Sequence, residues 1–341
     1  MSEKKSNQKG EKSSPEKALV REKKTPAAEG KILTVAAAPH IGVARTVPDV
    51  MWGVVISLTP VIASSIYYFQ WLAVKLILTC LVTSLATEAI FQLARGKRIT
   101  LYDGSATISG ILIAMVLPPH LPWWAAVLGS VFAIVIGKQI FGGLGYNIFN
   151  PALIGRAFLM TTFPVLMTTW TNPITLNAIS GATPLGMLKF EHQMTSLYHL
   201  FTGNVSGSLG EASALAIIIG GIYLLGRGYA DWRISLSYLA TVVGLSGIFW
   251  LINPGYGPPS FHLLAGGLLL GAIFMATDPV TAPITKRGRW IFGVGAGVIV
   301  VIIRLWGGYA EGVMFSILLM NAITPLLNRH TIPVQLGGRK K

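Results

Sequence analysis

The chain has 341 residues, of which 52% are apolar and 12% charged, and its mean hydropathy is +0.61; a soluble domain carries about 25% charged residues, so the composition specifies an integral membrane protein. Its formal charge of +14 does not point to nucleic acid, because the 27 Lys and Arg are spread along the chain instead of sharing one face with interleaved aromatics. The lone cysteine, Cys80, excludes a disulfide framework or a thiolate metal centre within the chain and reads as a packing residue.

Residues 1–48 are expected to be a disordered, basic, cytoplasmic arm, with ten Lys or Arg and five Glu up to Thr46 and no aromatic residue. A cleaved signal peptide is not expected, since the first long apolar run begins only near Val50. From there the apolar runs predict an all-α integral membrane protein of about ten transmembrane helices, at 50–70, 71–94, 104–118, 122–141, 148–170, 212–226, 232–252, 261–277, 290–306 and 310–327. This divides the chain into a first transmembrane repeat (49–170), an external loop (171–211), a second repeat (212–328) and a basic cytoplasmic tail (329–341). With the arm inside, 22 of the 27 basic residues fall on the cytoplasmic side, so both termini are expected there and the 171–211 loop outside. All nine tryptophans (52, 71, 123, 124, 170, 232, 250, 290 and 306) fall at span ends, where amphipathic rings favour the headgroup layer.

Two stretches share a pattern: "GILIAMVLPP" from Gly110 and "GAIFMATDPV" from Gly271, with Gly and Pro at matching offsets. They pair span 3 with span 8, and five spans per half place the halves in opposite orientation. The expectation is two inverted five-helix repeats, in which short Gly/Pro-interrupted segments mark a pathway. Asp278, with Thr277 and Thr281, offers hard oxygens for a sodium ion or a proton relay; capping by Asp-Pro is the plainer alternative. Among ionisable residues within spans, Glu88 and Lys138 are placed to snorkel or pair, and Arg156 is divided between a structural ion pair and a contact to a bound anion or ring. The six histidines lack ligand spacing, and no metal site, P-loop or dinucleotide fingerprint is present.

The long loop contains "SGATPLG", Ser180 to Gly186. Gly181 and Ala182 leave the Thr183 hydroxyl uncrowded, and Pro184 holds Thr183 extended and out of a helix; an ordinary turn has the same composition. With "APHI" at Ala38, "DGSATISGILIAMVLPP" at Asp103, "FGGLGYNIFNPA" at Phe141, "ATDPVTAP" at Ala276 and "GVMFSILLMNAITPL" at Gly312, the stretch resembles a family of two related membrane proteins. These are the RnfD component of the Rnf ion-translocating electron transport complex and the NqrB component of the sodium-translocating NADH:quinone reductase. The "PHI" entry and the modest length are more similar to the former. The resemblance covers nearly everything after residue 37 and implies FMN joined by a phosphodiester to Thr183 through a flavin transferase. It implies Ser180, Gly181, Ala182, Pro184 and Leu185 as the attachment stretch, and on the second of its two readings Arg156 would contact the flavin phosphate or ring. It further implies the other Rnf subunits and the lipid membrane as partners, a bacterial inner-membrane location, and dinucleotide chemistry on another component of the complex; a second, noncovalent flavin is left open. A stand-alone channel for a small solute is the alternative from another class.

Overall fold

The computed structural model describes residues 46–173, 178–180 and 183–333, with only the backbone at 178–180. The chain is an all-α membrane protein in which each expected span has a helical counterpart, but several counterparts are too short or too bent to be simple crossings. Thr46 caps the first helix, α1 (Val47–Ala94), in a reciprocal capping box with Asp49. One residue, Gln70 with φ 49°, breaks α1 into two arms. The second arm returns alongside the first, since Trp52 donates to the Tyr102 carbonyl at 3.1 Å while Gln92, near the other end of the helix, bonds Thr100 at 3.0 Å.

Next comes α2 (Ser105–Met115), of 11 residues, hence about 16 Å long at 1.5 Å per residue against a hydrocarbon core of about 30 Å. α3 (Trp123–Ile134) runs into a π turn, Val135–Gln139. Asn150 caps α4 (Pro151–Thr162) by accepting from the amides of Ala152 and Leu153. α5 (Pro164–Thr168) leads into a short antiparallel ribbon, β1 (Thr169–Thr171) with β2 (Ala178–Ser180). α6 (Pro184–Gly186) continues as a π turn, Met187–Glu191, and α7 (Leu197–Thr202) follows. The segment expected as a plain loop is therefore folded.

The second half comprises α8 (Ala214–Gly226), α9 (Trp232–Ile252), α10 (Pro259–Leu264), α11 (Leu268–Leu270) extended by a π turn Gly271–Met275, α12 (Lys286–Trp306) and α13 (Val313–Thr331). Residues 254–275 form a span bent by 48° at its break. Among the described residues, α1, α9 and α12 are long and apolar enough to cross a membrane alone, and the bent pair counts as one more crossing. Large apolar side chains lie outward along α1, α8, α9, α12 and α13, including Ile56, Val82, Ile222, Leu251, Ile302 and Leu319. Such a surface suits lipid, which solvates apolar side chains and leaves helix contacts to close packing and polar bonds; Tyr238 to Ser316 at 2.7 Å is one such bond.

α2 and α11 meet at Gly210. A Cβ there would lie 2.7 Å from Leu270 and 2.9 Å from the Met115 carbonyl oxygen, so only glycine allows this approach. Leu209 N–H donates to the Leu117 carbonyl, freed where α2 ends, and the Leu209 carbonyl accepts from Ser65 at 2.7 Å. Irregular backbone where the short segments end is thus satisfied by protein. Eight of the nine tryptophans are exposed or part-exposed. Trp170 departs from the expected belt: on β1 it turns inward and is 8% exposed.

Candidate functional site

Thr183 is the N-cap of α6, in extended backbone (φ −78°, ψ 151°), and its Oγ1 accepts from Gly186 N–H at 3.1 Å. Pro184 supplies the pre-set first helical residue. The threonine is 7% exposed and lines a cavity of about 170 Å³ with Arg156, Met160, Trp170, Phe190, Tyr309, Glu311 and Phe315. Sequence reasoning expects this hydroxyl in an open loop; the fold instead sets it on the wall of a pocket with aromatic sides. Ser180 lies at the end of β2 by its backbone, Pro184 and Leu185 are buried in α6, and the Ser180 side chain, Gly181 and Ala182 lie outside the described residues.

Arg156 reaches the same cavity from α4. Its Nη2 donates to Glu311 Oε2 at 2.8 Å, while its buried Nε has no hydrogen-bond partner among the described residues. The ion pair and the cavity wall are one arrangement, so the two readings of Arg156 do not compete. Lys189, six residues past Thr183, donates to the carbonyls of Ile303, Gly307 and Tyr309, at 3.2, 2.5 and 3.1 Å. It clamps the Thr183 segment to the C-terminal end of α12, where a cation also meets the negative pole of the helix. Burial pushes the Lys189 pKa below its ordinary value.

At the opposite end a second cavity, of about 70 Å³, lies between the halves and includes Ser105, Lys138, Asn150, Thr277 and Asp278 in its wall. Asp278 Oδ1 accepts from Val280 N–H at 3.2 Å and Oδ2 from the Thr281 hydroxyl at 3.3 Å. Asp278 therefore closes a local turn and lines the cavity, while the next helix, α12, is capped by Thr285. Thr277 turns its hydroxyl back to the Ile273 carbonyl, and Thr281 reaches Asp278 without lining this cavity. Lys138 does not snorkel. On the π turn after α3, 2% exposed, it donates to both Glu88 oxygens (2.9 and 2.7 Å) and to Ser105 Oγ (2.6 Å). No group of three or more metal-ligating side chains occurs among the described residues.

Sequence reasoning does not single out Glu311, Glu211 or Trp170. Glu311 falls inside the expected span 310–327, and an ionisable residue in a span was the available signal.

The fold and site define the class as a multi-pass helical membrane protein with half-length and broken segments and a cavity that a threonine hydroxyl lines. The chain belongs to the NQR2, RnfD, RnfE family, whose model matches residues 34–337. It is 46% identical over 303 residues to the D component of the Na(+)-translocating ferredoxin:NAD(+) oxidoreductase complex of Acetobacterium woodii (88% of this chain, 93% of the relative). It is 42% identical over 328 residues to the D component of the proton-translocating ferredoxin:NAD(+) oxidoreductase complex of Clostridium ljungdahlii (91% and 97%). The D component of the ion-translocating oxidoreductase complex of Escherichia coli O127:H6 is 36% identical over 350 residues (91% and 99%).

Proposed function

We propose that this chain is the RnfD component of an ion-translocating electron transport complex of the Rnf type, and that it carries electrons through FMN esterified to Thr183. The observation that carries the reading is the Thr183 hydroxyl on the wall of a cavity that also holds an arginine with a free donor and aromatic side chains. The residues fit the group. Arg156 would face a phosphate or ring oxygen, Trp170, Phe190, Tyr309 and Phe315 would pack on the ring, and Lys189 would fix the segment that bears the ester. When bound, flavin supplies one- and two-electron chemistry at a constant position. The protein's part is to hold the site rigid, offer aromatic walls to the ring and keep a positive charge nearby.

The relatives' names support membership of an ion-translocating ferredoxin:NAD(+) oxidoreductase complex. Partners are then the other subunits, the lipid bilayer and, during maturation, a flavin transferase. The charge distribution supports an inner-membrane orientation with both termini cytoplasmic and the Thr183 end external. Asp278, at the far cavity, is the residue we assign to the ion path. Two experiments test this reading. Under ultraviolet light, the denatured chain from cells expressing the transferase should fluoresce in the gel; a dark band contradicts the flavin. In the purified complex, Asp278→Asn should slow ion-coupled turnover with flavin content unchanged, whereas normal pumping at limiting and saturating ion returns Asp278 to closing its turn alone.

A further inference from the structure

The break between α10 and α11 is closed from both sides by charged side chains. Arg304 of α12 donates to the His262 carbonyl at 2.6 Å and the Ala265 carbonyl at 3.0 Å, satisfying carbonyls freed where α10 ends. On the other side, Gly267 N–H at the head of α11 donates to Glu311 Oε1 at 3.0 Å. A Cβ on Gly267 would lie 3.1 Å from Glu211 Oε1, so both acidic side chains converge on one residue. Gly266 makes room for them with φ +70°, and a Cβ there would stand 2.7 Å from Glu311 Oε1.

Glu311 is engaged by Arg156 on its other oxygen. Glu211 accepts from Ser208 Oγ at 2.6 Å and, among the described residues, has no ion pair. Its carboxyl and that of Glu311 thus approach each other at Gly267. Two like charges brought to one residue disfavour double ionisation, and a proton on one of them, or a cation, relieves it. Arg156 pairs with Glu311, Arg304 is held by the two carbonyls, His262 bonds the Tyr256 carbonyl and Tyr238 bonds Ser316, so among the described residues Glu211 is left without an ion-pair partner. Glu311 and Arg156 also line the Thr183 cavity, and the unpartnered Arg156 Nε offers a donor to water entering it.

We propose that Glu211 and Glu311 share one proton at the broken span and exchange it through the cavity lined by Glu311 and Arg156. The inference rests on the cavity and the break and does not depend on flavin at Thr183. The pair then acts as a single titrating site whose proton belongs to neither residue alone.

The test is infrared difference spectroscopy on the purified intact complex. Wild type minus Glu211→Gln and wild type minus Glu311→Gln should each show loss of the same protonated-carboxyl C=O band, and that band should shift down in D2O without unfolding. Gln matches the shape of a neutral acid, so Glu211→Gln should assemble and decides the matter if Glu311→Gln does not. Thr183→Val should keep the band, which separates this result from the flavin assignment. Difference spectra showing only ionised carboxylate would overturn the proposal in favour of a bound cation. A band that never shifts in D2O would break its link to the cavity.

Discussion

Lys138 and Glu88 are the most enclosed ion pair in the chain's described part, with both side chains 2% exposed. Their value is tied to each other: removing one partner of a buried pair typically costs about 3–5 kcal/mol, because the other charge is left uncompensated. Lys138→Met should therefore reduce the melting temperature and yield of monodisperse protein sharply. Adding Glu88→Gln should recover most of the loss, and a double variant no better than the single would deny the coupling. Pairing at this position was legible from two opposite charges near the same expected membrane edge. The Arg156–Glu311 pair was less so, since its members are 155 residues apart and only the tertiary fold brings them together. Trp170 shows the same limit. It sits at a span end in the sequence, but the β1–β2 ribbon turns it into the cavity.

At the scale of elements, the sequence marks where helices must end better than how far they cross. Gly and Pro at matching offsets announced the short segments α2 and α11, and both stop at such turns. The π turns were not legible, because an extra residue per turn leaves no compositional trace. Three of them precede or carry the residues of interest, at Lys138, just after Thr183 and just before Asp278, in keeping with the association of such turns with function. Gly210→Ala should destabilise by about 1–3 kcal/mol, as overpacking does in a closed core, and a wild-type melting temperature would show that α2 and α11 can part. Between α9 and α12, Asp231 accepts from Arg233 at 3.1 Å and from Arg289. Burial alone would raise its pKa, but these bonds hold it below the ordinary carboxylate value. Its contribution to stability is therefore present above that ordinary value and lost as pH falls through the lowered one. The stability gap between wild type and Asp231→Asn should be constant from neutral pH down to about 4 and close only below that; a gap that closes near neutrality contradicts the pairing.

Among the described residues, the Thr183 and Asp278 cavities lie on opposite sides of the broken segments. Orientation is testable without background, because the only cysteine, Cys80, is buried. A cysteine replacing exposed Ser196 should react with an impermeant maleimide in intact cells, and one replacing exposed Arg287 should react only after lysis; the reverse pattern would invert the topology. Whether the Thr183 oxygen carries FMN decides the function proposed for the bundle, and the intact mass of the chain answers it. Wild type and Thr183→Val, each expressed with the flavin transferase, are compared as purified chains, the valine keeping the β-branched shape and removing only the oxygen. Wild type should be heavier than its sequence by one FMN phosphoester, and the variant should weigh what its sequence does. A wild-type chain without the added mass, or a variant that retains it, would refute FMN at Thr183.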